Sequence, residues 1–363
     1  MIMKILQVIP NLESGGAERF VVDLANEMTK TNEVTLALFY PIKQNSGFYS
    51  EVNSNVKFIA LNKKRGFDFT MLFKLYKLIK QEKPDIVHTH IRAFPYIALL
   101  KIFFPQIRFL HTIHNDAFKE AGGRSLYQLK KYFFRKNKIT PVVISNDGGE
   151  SFEQCYGIFA PLIYNGRAKK ELKVSDAVIE EIQNYKITPQ TKILINVARI
   201  DTQKNQIMLA ECVKELTDDG FDIVCLIVGR KSNVDIVEKI EHINCKNLFL
   251  LGEKNNPMEY LAMADVFCLS SSWEGMPISL IEAFFTATIP VCTPAGGVKD
   301  MIHDGVDGIL SVDLSKESYK QALIRYLNMS VDEIEEMKKE VSASSNQYTI
   351  EECAKSYLKL MEG

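Results

Sequence analysis

Residues 265–285, DVFCLSSSWEGMPISLIEAFF, hold the pattern that decides the fold. The run DVFCL is short and apolar, which favours a buried strand, and a loop of serines around Glu274 follows it. Gly275 and Pro277 mark the turn into a helix, because proline fits the first helical positions, where no amide donor is needed. A strand, a loop and a helix in this order form one repeat of an α/β protein.

The same alternation extends outward in both directions along the chain. Twelve short apolar runs are predicted as strands: KILQVI, EVTLALFY, VKFIAL, DIVHTH, IRFLHTIH and TPVVIS, then KILINVA, FDIVCLIVG, NLFLLG, DVFCLS, IPVCT and GILSV. Helical patterns lie between them, for example at 17–30, 205–217, 233–242, 256–263 and 278–286. The alternation stops near residue 166, where a polar stretch with one short helix begins. The sequence therefore predicts two doubly wound, Rossmann-like α/β domains, residues 1–166 and 167–344. A C-terminal helix at about 345–363 is expected to pack back on the first domain.

Length and cysteine usage bound the class of protein. A chain of 363 residues is long enough for two domains. The start, MIMKILQVIPNLESGG, has only a short apolar run and no cleavage site of small residues, so we expect no signal peptide. No run approaches the roughly 20 apolar residues that a spanning helix needs. The seven cysteines stand singly, which is typical of free thiols in a cytoplasmic protein.

Charge is distributed unevenly along the chain. Residues 1–166 carry 22 Lys and Arg against 14 Asp and Glu, a net of +8, and residues 167–363 have a net of −9. Basic residues cluster at 63–65 and at 130–138, within LYQLKKYFFRKNK. The second cluster is equally typical of a helix resting peripherally on an anionic membrane and of a solvated helix face. Nucleic-acid binding is disfavoured, because the whole chain is near neutral and no reader motif is present.

Several nucleotide-binding motifs are absent from the sequence. It contains neither G-x-G-x-x-G nor the P-loop G-x-x-x-x-G-K-[ST]. It also lacks D-x-D, the closely spaced carboxylates with which Mg²⁺ or Mn²⁺ usually bridges a diphosphate. A diphosphate bound here would be neutralised by Arg, Lys and helix amides, so we expect neither a metal ion nor another cofactor.

Two glutamates frame the predicted helix start. Outward-pointing amides of residues 278–280, with the positive end of the helix dipole, would form a phosphate site. Glu274 precedes that site and Glu282 lies about one turn into the helix. A ligand with hydroxyl groups at both ends and phosphate in the middle fits this pattern, and a nucleotide sugar has that shape.

The E-x₇-E pattern resembles the signature of family-4 retaining glycosyltransferases, which have the two-domain GT-B fold. Other segments match the family in order: NLESGGAER, HTIHND, YNG, VARIDTQKN and AGGVKDMIHDGVDGIL. The resemblance implies two domains facing each other across a cleft. It also implies metal-independent transfer from a nucleoside diphosphate sugar to a glycan or lipid-linked saccharide, in cell-surface polysaccharide or lipopolysaccharide biosynthesis.

The resemblance further implies roles for individual residues. As catalytic groups, Glu274 would bind hydroxyls of the donor sugar, Arg199 and Lys204 would bind the diphosphate, and His114 would lie at the donor sugar. The residues implied to bind the nucleotide sugar are Gly15, Gly16, Gly229, Arg230, Gly252, Glu253, Met276, Pro277, Ile278, Ser279, Leu280 and Glu282. Among these, Glu282 would hold the ribose, and residues 229, 230, 252 and 253 would face the nucleobase.

Other interpretations stay open from the sequence alone. Arg199 and Lys204 could be surface charges, and His88, His90, His111 and His114 could be core histidines or, less favoured, metal ligands. The chain could be a sugar-nucleotide epimerase or a phosphorylase of the same fold, or an inactive nucleotide-sugar-binding scaffold. Ala198 replaces the family's usual glycine, and Gly229-Arg230-Lys231 replaces its Gly-Asp/Glu-Gly, so the base is not predicted.

Overall fold

The computed structural model of the chain describes residues 2–13, 15–42 and 47–362. Two compact units are present. Unit 1 comprises Met1–Ala168 and Tyr348–Gly363, and unit 2 comprises Lys169–Gln347.

Each unit is built on one six-stranded parallel sheet. In unit 1 the strands are β1 Lys4–Ile9, β2 Glu33–Leu38, β3 Lys57–Ala60, β4 Ile86–His90, β5 Arg108–Ile113 and β6 Thr140–Val143. In unit 2 they are β7 Lys192–Val197, β8 Ile223–Val228, β9 Leu248–Gly252, β10 Val266–Leu269, β11 Ile289–Cys292 and β12 Ile309–Leu310. The strand orders are β3-β2-β1-β4-β5-β6 and β12-β11-β10-β7-β8-β9. All twelve predicted strands are present, and two doubly wound, Rossmann-like domains are confirmed.

Helices connect these strands. In unit 1 they are α1 Gly16–Met28, α2 Thr70–Glu82, α3 Phe94–Leu100, α4 Ala117–Ala121, α5 Arg124–Arg135, α6 Asn146–Tyr156 and, from the chain end, α14 Ile350–Glu362. In unit 2 they are α7 Asp176–Gln183, α8 Gln206–Asp218, α9 Val234–His242, α10 Pro257–Ala262, α11 Ile278–Phe285, α12 Lys316–Leu327 and α13 Val331–Ser344. Among the described residues, no helix combines the length and apolar character needed to cross a membrane.

Burial explains why the strands were readable from the sequence. Every residue of β8, IVCLIV, is buried, and so are all of β10 and β11. A parallel sheet covered by helices on both faces needs such continuous apolar runs. In a sheet with one solvent-exposed face, apolar and polar residues would alternate along each strand. The seven cysteines are free, as predicted, and burial raises the pKa of each thiol.

Helix α14 belongs to unit 1, although unit 2 precedes it in the chain. Its Tyr357 hydroxyl lies 2.9 Å from Thr112 Oγ1 on β5, and its ring lies 6.0 Å from that of Phe20 on α1. Close to the start of α14, Arg167 exchanges backbone hydrogen bonds with residues 348 and 350, and Arg167 Nη1 donates to Asp23 Oδ2 at 2.7 Å. Both side chains of this ion pair are buried. The pair and the backbone hydrogen bonds therefore join α1, the segment at Arg167 and the segment that leads into α14.

Helix α5 differs from one interpretation of its sequence. Phe133 and Phe134 are core residues, and Lys130 is only 3% exposed, with its Nζ donating to the carbonyl oxygen of Glu120 at 2.6 Å. Of the aromatic residues between the cations of LYQLKKYFFRKNK, Phe133 and Phe134 therefore face inward, whereas Tyr132 is 49% exposed. For this helix, the structure favours the solvated-face interpretation over one that rests on a membrane.

Candidate active site

The predicted donor residues lie at the carboxyl edge of the unit 2 sheet. Strand β7 is central, with β8 and β9 following on one side and β10, β11 and β12 on the other. The strand order reverses between β7 and β10, and ligands of doubly wound sheets bind at such a switch point. Arg199 and Lys204 follow β7, and Glu274 follows β10. The loops on both sides of the switch point therefore carry the predicted catalytic residues of this unit.

Lys204 and Glu274 form an ion pair at this place. Lys204 Nζ lies 2.5 Å from Glu274 Oε1, and the side chains are 14% and 5% exposed. Ser271 Oγ donates to the same carboxylate oxygen at 2.6 Å, while Gln203 Nε2 lies 3.3 Å from Oε2. A carboxylate with these partners is fixed in orientation, because each oxygen has a donor of its own.

Hydrogen bonds to backbone carbonyl oxygens join the loop after β7 to the loop after β10. Ser270 Oγ donates to the carbonyl oxygens of Lys204 and Asn205 at 3.0 and 3.1 Å, and the Ser272 amide donates to Gln203 at 2.9 Å. The Ser271 carbonyl in turn accepts from Thr293 Oγ1 at 2.6 Å. The position of the Lys204–Glu274 pair is therefore set by the loop backbones as well as by its own attraction.

Glycine at position 296 makes room for the Glu274 loop. Gly296 has a φ of +55°, and a Cβ atom there would overlap the carbonyl oxygen of Glu274. Only glycine meets both conditions. The sequence offered a signal in AGGVKD, but nothing in it indicated that this segment supports Glu274.

Arg199 is more accessible than Lys204. Its side chain is 44% exposed, and its Nε lies 3.3 Å from Asp201 Oδ2. Its carbonyl oxygen accepts from Gln206 Nε2 at 2.9 Å. Gly229, after β8, lies against the Ala198–Arg199 backbone and donates its amide to the Gly252 carbonyl at 2.8 Å. The two predicted nucleobase glycines are thus joined by a hydrogen bond, whereas the neighbouring Arg230 and Glu253 are exposed.

The start of α11 differs in one respect from the sequence-based expectation. Met276, Pro277, Ile278 and Glu282 are buried, and Ser279 is partly exposed. The amide of Leu280 was expected to point outward, but it donates to the carbonyl oxygen of Pro277 at 3.2 Å. The helix closes its first turn at that position, so the predicted phosphate site is narrowed to the amides of residues 278 and 279.

In unit 1, Gly15 and Gly16 lie at the start of α1, after β1. Gly15 has a φ of +143° and precedes the helix, of which Gly16 is the first residue. Strand β1 borders β4, where the order of this sheet also reverses. Gly15 and Gly16 therefore follow the strand beside the switch point of the unit 1 sheet, as Arg199 and Lys204 do in the unit 2 sheet.

Four buried histidines lie on two neighbouring strands of the unit 1 sheet: His88 and His90 on β4, His111 on β5, and His114 directly after β5. His90 Nε2 lies 2.8 Å from Gln7 Oε1, and His90 Nδ1 lies 3.1 Å from His114 Nε2. Gln7 Nε2 is directed to the sulfur of Met28 at 3.7 Å, so Oε1 accepts the proton of His90 Nε2. His90 Nδ1 then accepts from His114 Nε2, which leaves Nδ1 of His114 as a hydrogen-bond acceptor. Sequence reasoning missed Gln7 because a buried glutamine in an apolar strand carries no motif.

Burial keeps these histidines uncharged. It lowers the pKa of His88 and of His114 to about 3, and it lowers the pKa of His90 and His111 well below the ordinary value. Glu120, whose Oε1 accepts from the His114 amide at 2.8 Å, has a pKa raised to about 7, again because of burial. His114 is therefore a neutral hydrogen-bonding group at physiological pH.

We expect unit 1 to lose stability as pH falls from 6.5 towards 4. The unfolded histidines take up protons in this range while the folded ones, with lowered pKa, do not, so acid favours unfolding. Glu120 acts oppositely, since its raised pKa gives stability that is lost as pH rises through 7, and Asp23, whose pKa burial also raises, acts in the same direction, but these are two groups against four. Hydrogen exchange of residues 86–114 across this pH range checks the prediction. Unit 2 is the internal control, because both of its histidines are mostly exposed, and equal acid sensitivity of the two units would contradict it.

Among the residues that the structure describes, no group of three or more His, Cys, Asp or Glu side chains is placed to hold a metal ion. His90 and His114 instead contact each other, and His111 Nδ1 contacts Thr89 Oγ1 at 2.8 Å.

Comparison with known proteins decides the family. Residues 14–167 match the sequence model of Glycosyltransferase Family 4, and residues 178–345 match that of Glycosyl transferases group 1. The chain belongs to the family-4 glycosyltransferases. Two adjoining matches of this kind span most of the chain, so the resemblance read from the motifs is confirmed.

Two similar proteins are themselves glycosyltransferases. The chain is 26% identical to an Escherichia coli UDP-Gal:α-D-GlcNAc-diphosphoundecaprenol α-1,3-galactosyltransferase, over 71% of this chain and 70% of the relative. It is 25% identical to the E. coli O-antigen biosynthesis glycosyltransferase WbnH, over 98% of both chains. The crystal structure of Anabaena Alr3699/HepE in complex with UDP-glucose superposes with a TM-score of 0.82 at 17% identity, covering 99% of each chain. These matches support sugar transfer and give no support to the epimerase or scaffold interpretations.

Proposed function

We propose that this glycosyltransferase moves a hexosyl or N-acetylhexosaminyl group from a nucleoside diphosphate sugar to a glycan or lipid-linked saccharide. The reaction retains anomeric configuration, needs no metal ion, and serves cell-surface polysaccharide or lipopolysaccharide biosynthesis. One observation carries the proposal. A nearly buried cation, Lys204, is held against Glu274 at the switch point of a nucleotide-binding fold.

Lys204 and Glu274 each meet one requirement of sugar transfer. As the bond to the anomeric carbon breaks, negative charge grows on the diphosphate, and a fixed cation stabilises it without reorganising. Lys204 is such a cation, and Arg199, which is more exposed, adds a second one from the same loop. Glu274 keeps further lone pairs on its carboxylate, which accept hydrogen bonds from hydroxyls of the donor sugar.

Retention follows from attack on the face that the diphosphate leaves. In this scheme the acceptor hydroxyl attacks the anomeric carbon, and its proton passes to the departing diphosphate oxygen. His114, neutral and with Nδ1 as an acceptor, orients a donor-sugar hydroxyl.

The donor and acceptor classes are supported by the similar proteins. A relative is named for a UDP-galactose donor and a diphosphoundecaprenol-linked acceptor, and a structural neighbour was solved with UDP-glucose. UDP-sugars are therefore the first donors to test. A lipid-linked acceptor would place the enzyme peripherally on the cytoplasmic face of the inner membrane.

Donor screening tests the proposal. Purified protein is melted with UDP, GDP, ADP, CMP and their sugars in the presence of EDTA, and the fluorescence of Trp273, the single tryptophan, reports on unit 2. One nucleoside diphosphate and its sugar should raise the melting temperature, since a ligand at about 100 times its Kd adds about 2.7 kcal/mol. No shift with any donor would contradict the proposal. A shift that needs added Mg²⁺ or Mn²⁺ would overturn metal independence alone.

A further inference from the structure

Helix α2 has an apolar face towards the core and a second one towards solvent. Its core face consists of Met71, Leu75, Leu78 and Ile79. On the opposite side, Phe69, at the residue before the helix, is 76% exposed, and Phe73 is 71% exposed. Tyr76 and Lys80 continue the same row, because positions i, i+4, i+7 and i+11 of a helix share one face. A surface helix usually has only one apolar face, so the outer row needs an explanation.

Neighbouring residues extend this row into one patch. Phe67, 52% exposed, lies 5.0 Å from Phe69 between ring centres. Phe103, 65% exposed, lies 6.0 Å from Tyr76, and Ile102 beside it is 62% exposed. We call this set the aromatic face: Phe67, Phe69, Phe73, Tyr76, Ile102 and Phe103. Single exposed apolar residues are common, but a contiguous patch marks an interaction surface.

The charge around the aromatic face is almost wholly positive. Residues 63–80, KKRGFDFTMLFKLYKLIK, contain six Lys and Arg and one acid, Asp68. Asp68 is buried, and it accepts hydrogen bonds from the amides of Lys64 and Thr70, which lower its pKa to about 2. Lys64, Arg65, Lys77 and Lys80 are exposed. The next carboxylate along the chain, that of Glu82 at the last residue of α2, accepts from Lys57 Nζ at 2.7 Å.

We propose that the aromatic face of α2, together with the exposed cations Lys64, Arg65, Lys77 and Lys80, binds this enzyme to an anionic lipid surface. Aromatic side chains enter the headgroup region, while lysine and arginine bind lipid phosphates at its edge. A second copy of the chain fits poorly, because the same cations would meet each other. Helix α5, the other basic segment, buries Phe133 and Phe134 and exposes Tyr132 alone among its aromatic residues, so it offers no apolar row comparable to that of α2. The proposal rests on the proposed lipid-linked acceptor, since a membrane surface is where that acceptor is found.

Vesicle flotation tests the proposal on the full chain. Vesicles contain phosphatidylglycerol and phosphatidylethanolamine, or phosphatidylcholine alone as the neutral control. The double variant Phe69→Ser/Phe73→Ser should reduce partitioning onto anionic vesicles at least tenfold, and 1 M NaCl should weaken binding of the wild type. Phe159→Ser is the matched control, because Phe159 is 83% exposed in the same unit but lies outside the aromatic face. It should bind as the wild type does.

Two results would overturn the proposal: equal flotation of the wild type and the double variant, or equal loss of flotation in the Phe159→Ser control. Donor-induced shifts in the Trp273 melt are measured on the same variants, and the substitutions should leave them unchanged because the aromatic face lies in unit 1. A protein that binds donor but no vesicle refutes the membrane surface and leaves the proposed transfer standing. A protein that binds vesicles but no donor refutes the transfer instead.

Discussion

Lys204→Met is expected to lower the transfer rate by about 10²–10³-fold, the usual cost of removing a group that stabilises developing charge. It is also expected to destabilise unit 2 by about 3–5 kcal/mol, because Glu274 is then a buried carboxylate without its cation. Glu274 is only 5% exposed in the pair, so water cannot replace the ammonium group. A transfer assay and Trp273 melts measure the two effects separately.

The double variant Lys204→Met/Glu274→Leu separates catalysis from stability. Replacing both charges by apolar groups should restore the melting temperature of unit 2, while transfer stays lost. Recovery of transfer together with stability would show that the pair has only a structural role. Lys320→Met is the matched control, because Lys320 on α12 contacts Asp219, at the end of α8 in the same unit, at 2.9 Å. It should cost at most about 1 kcal/mol and leave transfer unchanged.

Gly229→Ala is expected to destabilise unit 2 by about 3 kcal/mol or more and to abolish donor binding. Two effects add at this residue. Its φ of +152° is strained for any other amino acid, at about 1–3 kcal/mol, and the new Cβ would overlap the Ala198 carbonyl oxygen, at about 1–3 kcal/mol more. Relief of the overlap must move the backbone of Ala198 and Arg199, which carries the predicted diphosphate ligand. Trp273 melts with and without donor measure both consequences.

Gly252→Ala measures the cost of the strained backbone conformation without the steric overlap that Gly229→Ala also introduces. Gly252 also has a positive φ, +71°, but no atom lies within 4 Å of the added Cβ. Its melting temperature should therefore fall less than that of Gly229→Ala. Equal effects of the two substitutions would show that crowding against Ala198 is unimportant.

The strands were predictable because a parallel sheet covered by helices on both faces produces continuous apolar runs in the sequence, such as IVCLIV of β8. Helix α11 with Glu282, and Glu274 in the loop before it, were predictable for a similar reason, since a strand, a loop and a helix occur there in immediate succession. What could not be predicted depends on contacts between distant segments. Lys204 and Glu274 are 70 residues apart, and Gln7 and His90 are 83 residues apart. No local pattern indicates either pairing.

Helix α5 shows a different limit. Its sequence mixes aromatic and basic residues at spacings that suit an inward or an outward apolar face, and only packing decides between them. The same ambiguity hid α2, whose outer row of phenylalanines resembles a core pattern until Met71 and Leu75 are seen to fill the core side. The family resemblance supplied the candidate residues, whereas their support by Ser271, Gln203 and Gly296 came from the structure.

The membership of α14 in unit 1 has a consequence for synthesis of the protein on the ribosome. Unit 2 consists of 169–347, so every residue it needs has been made before α14 emerges. At about 5–20 residues per second, the ribosome needs on the order of 10–40 s to pass from the body of unit 1 to α14. Throughout that time Thr112 lacks Tyr357, and α1 lacks the helix that covers it. The half of the enzyme that is translated first is therefore the half that is completed last, and nascent chains need protection there rather than in unit 2.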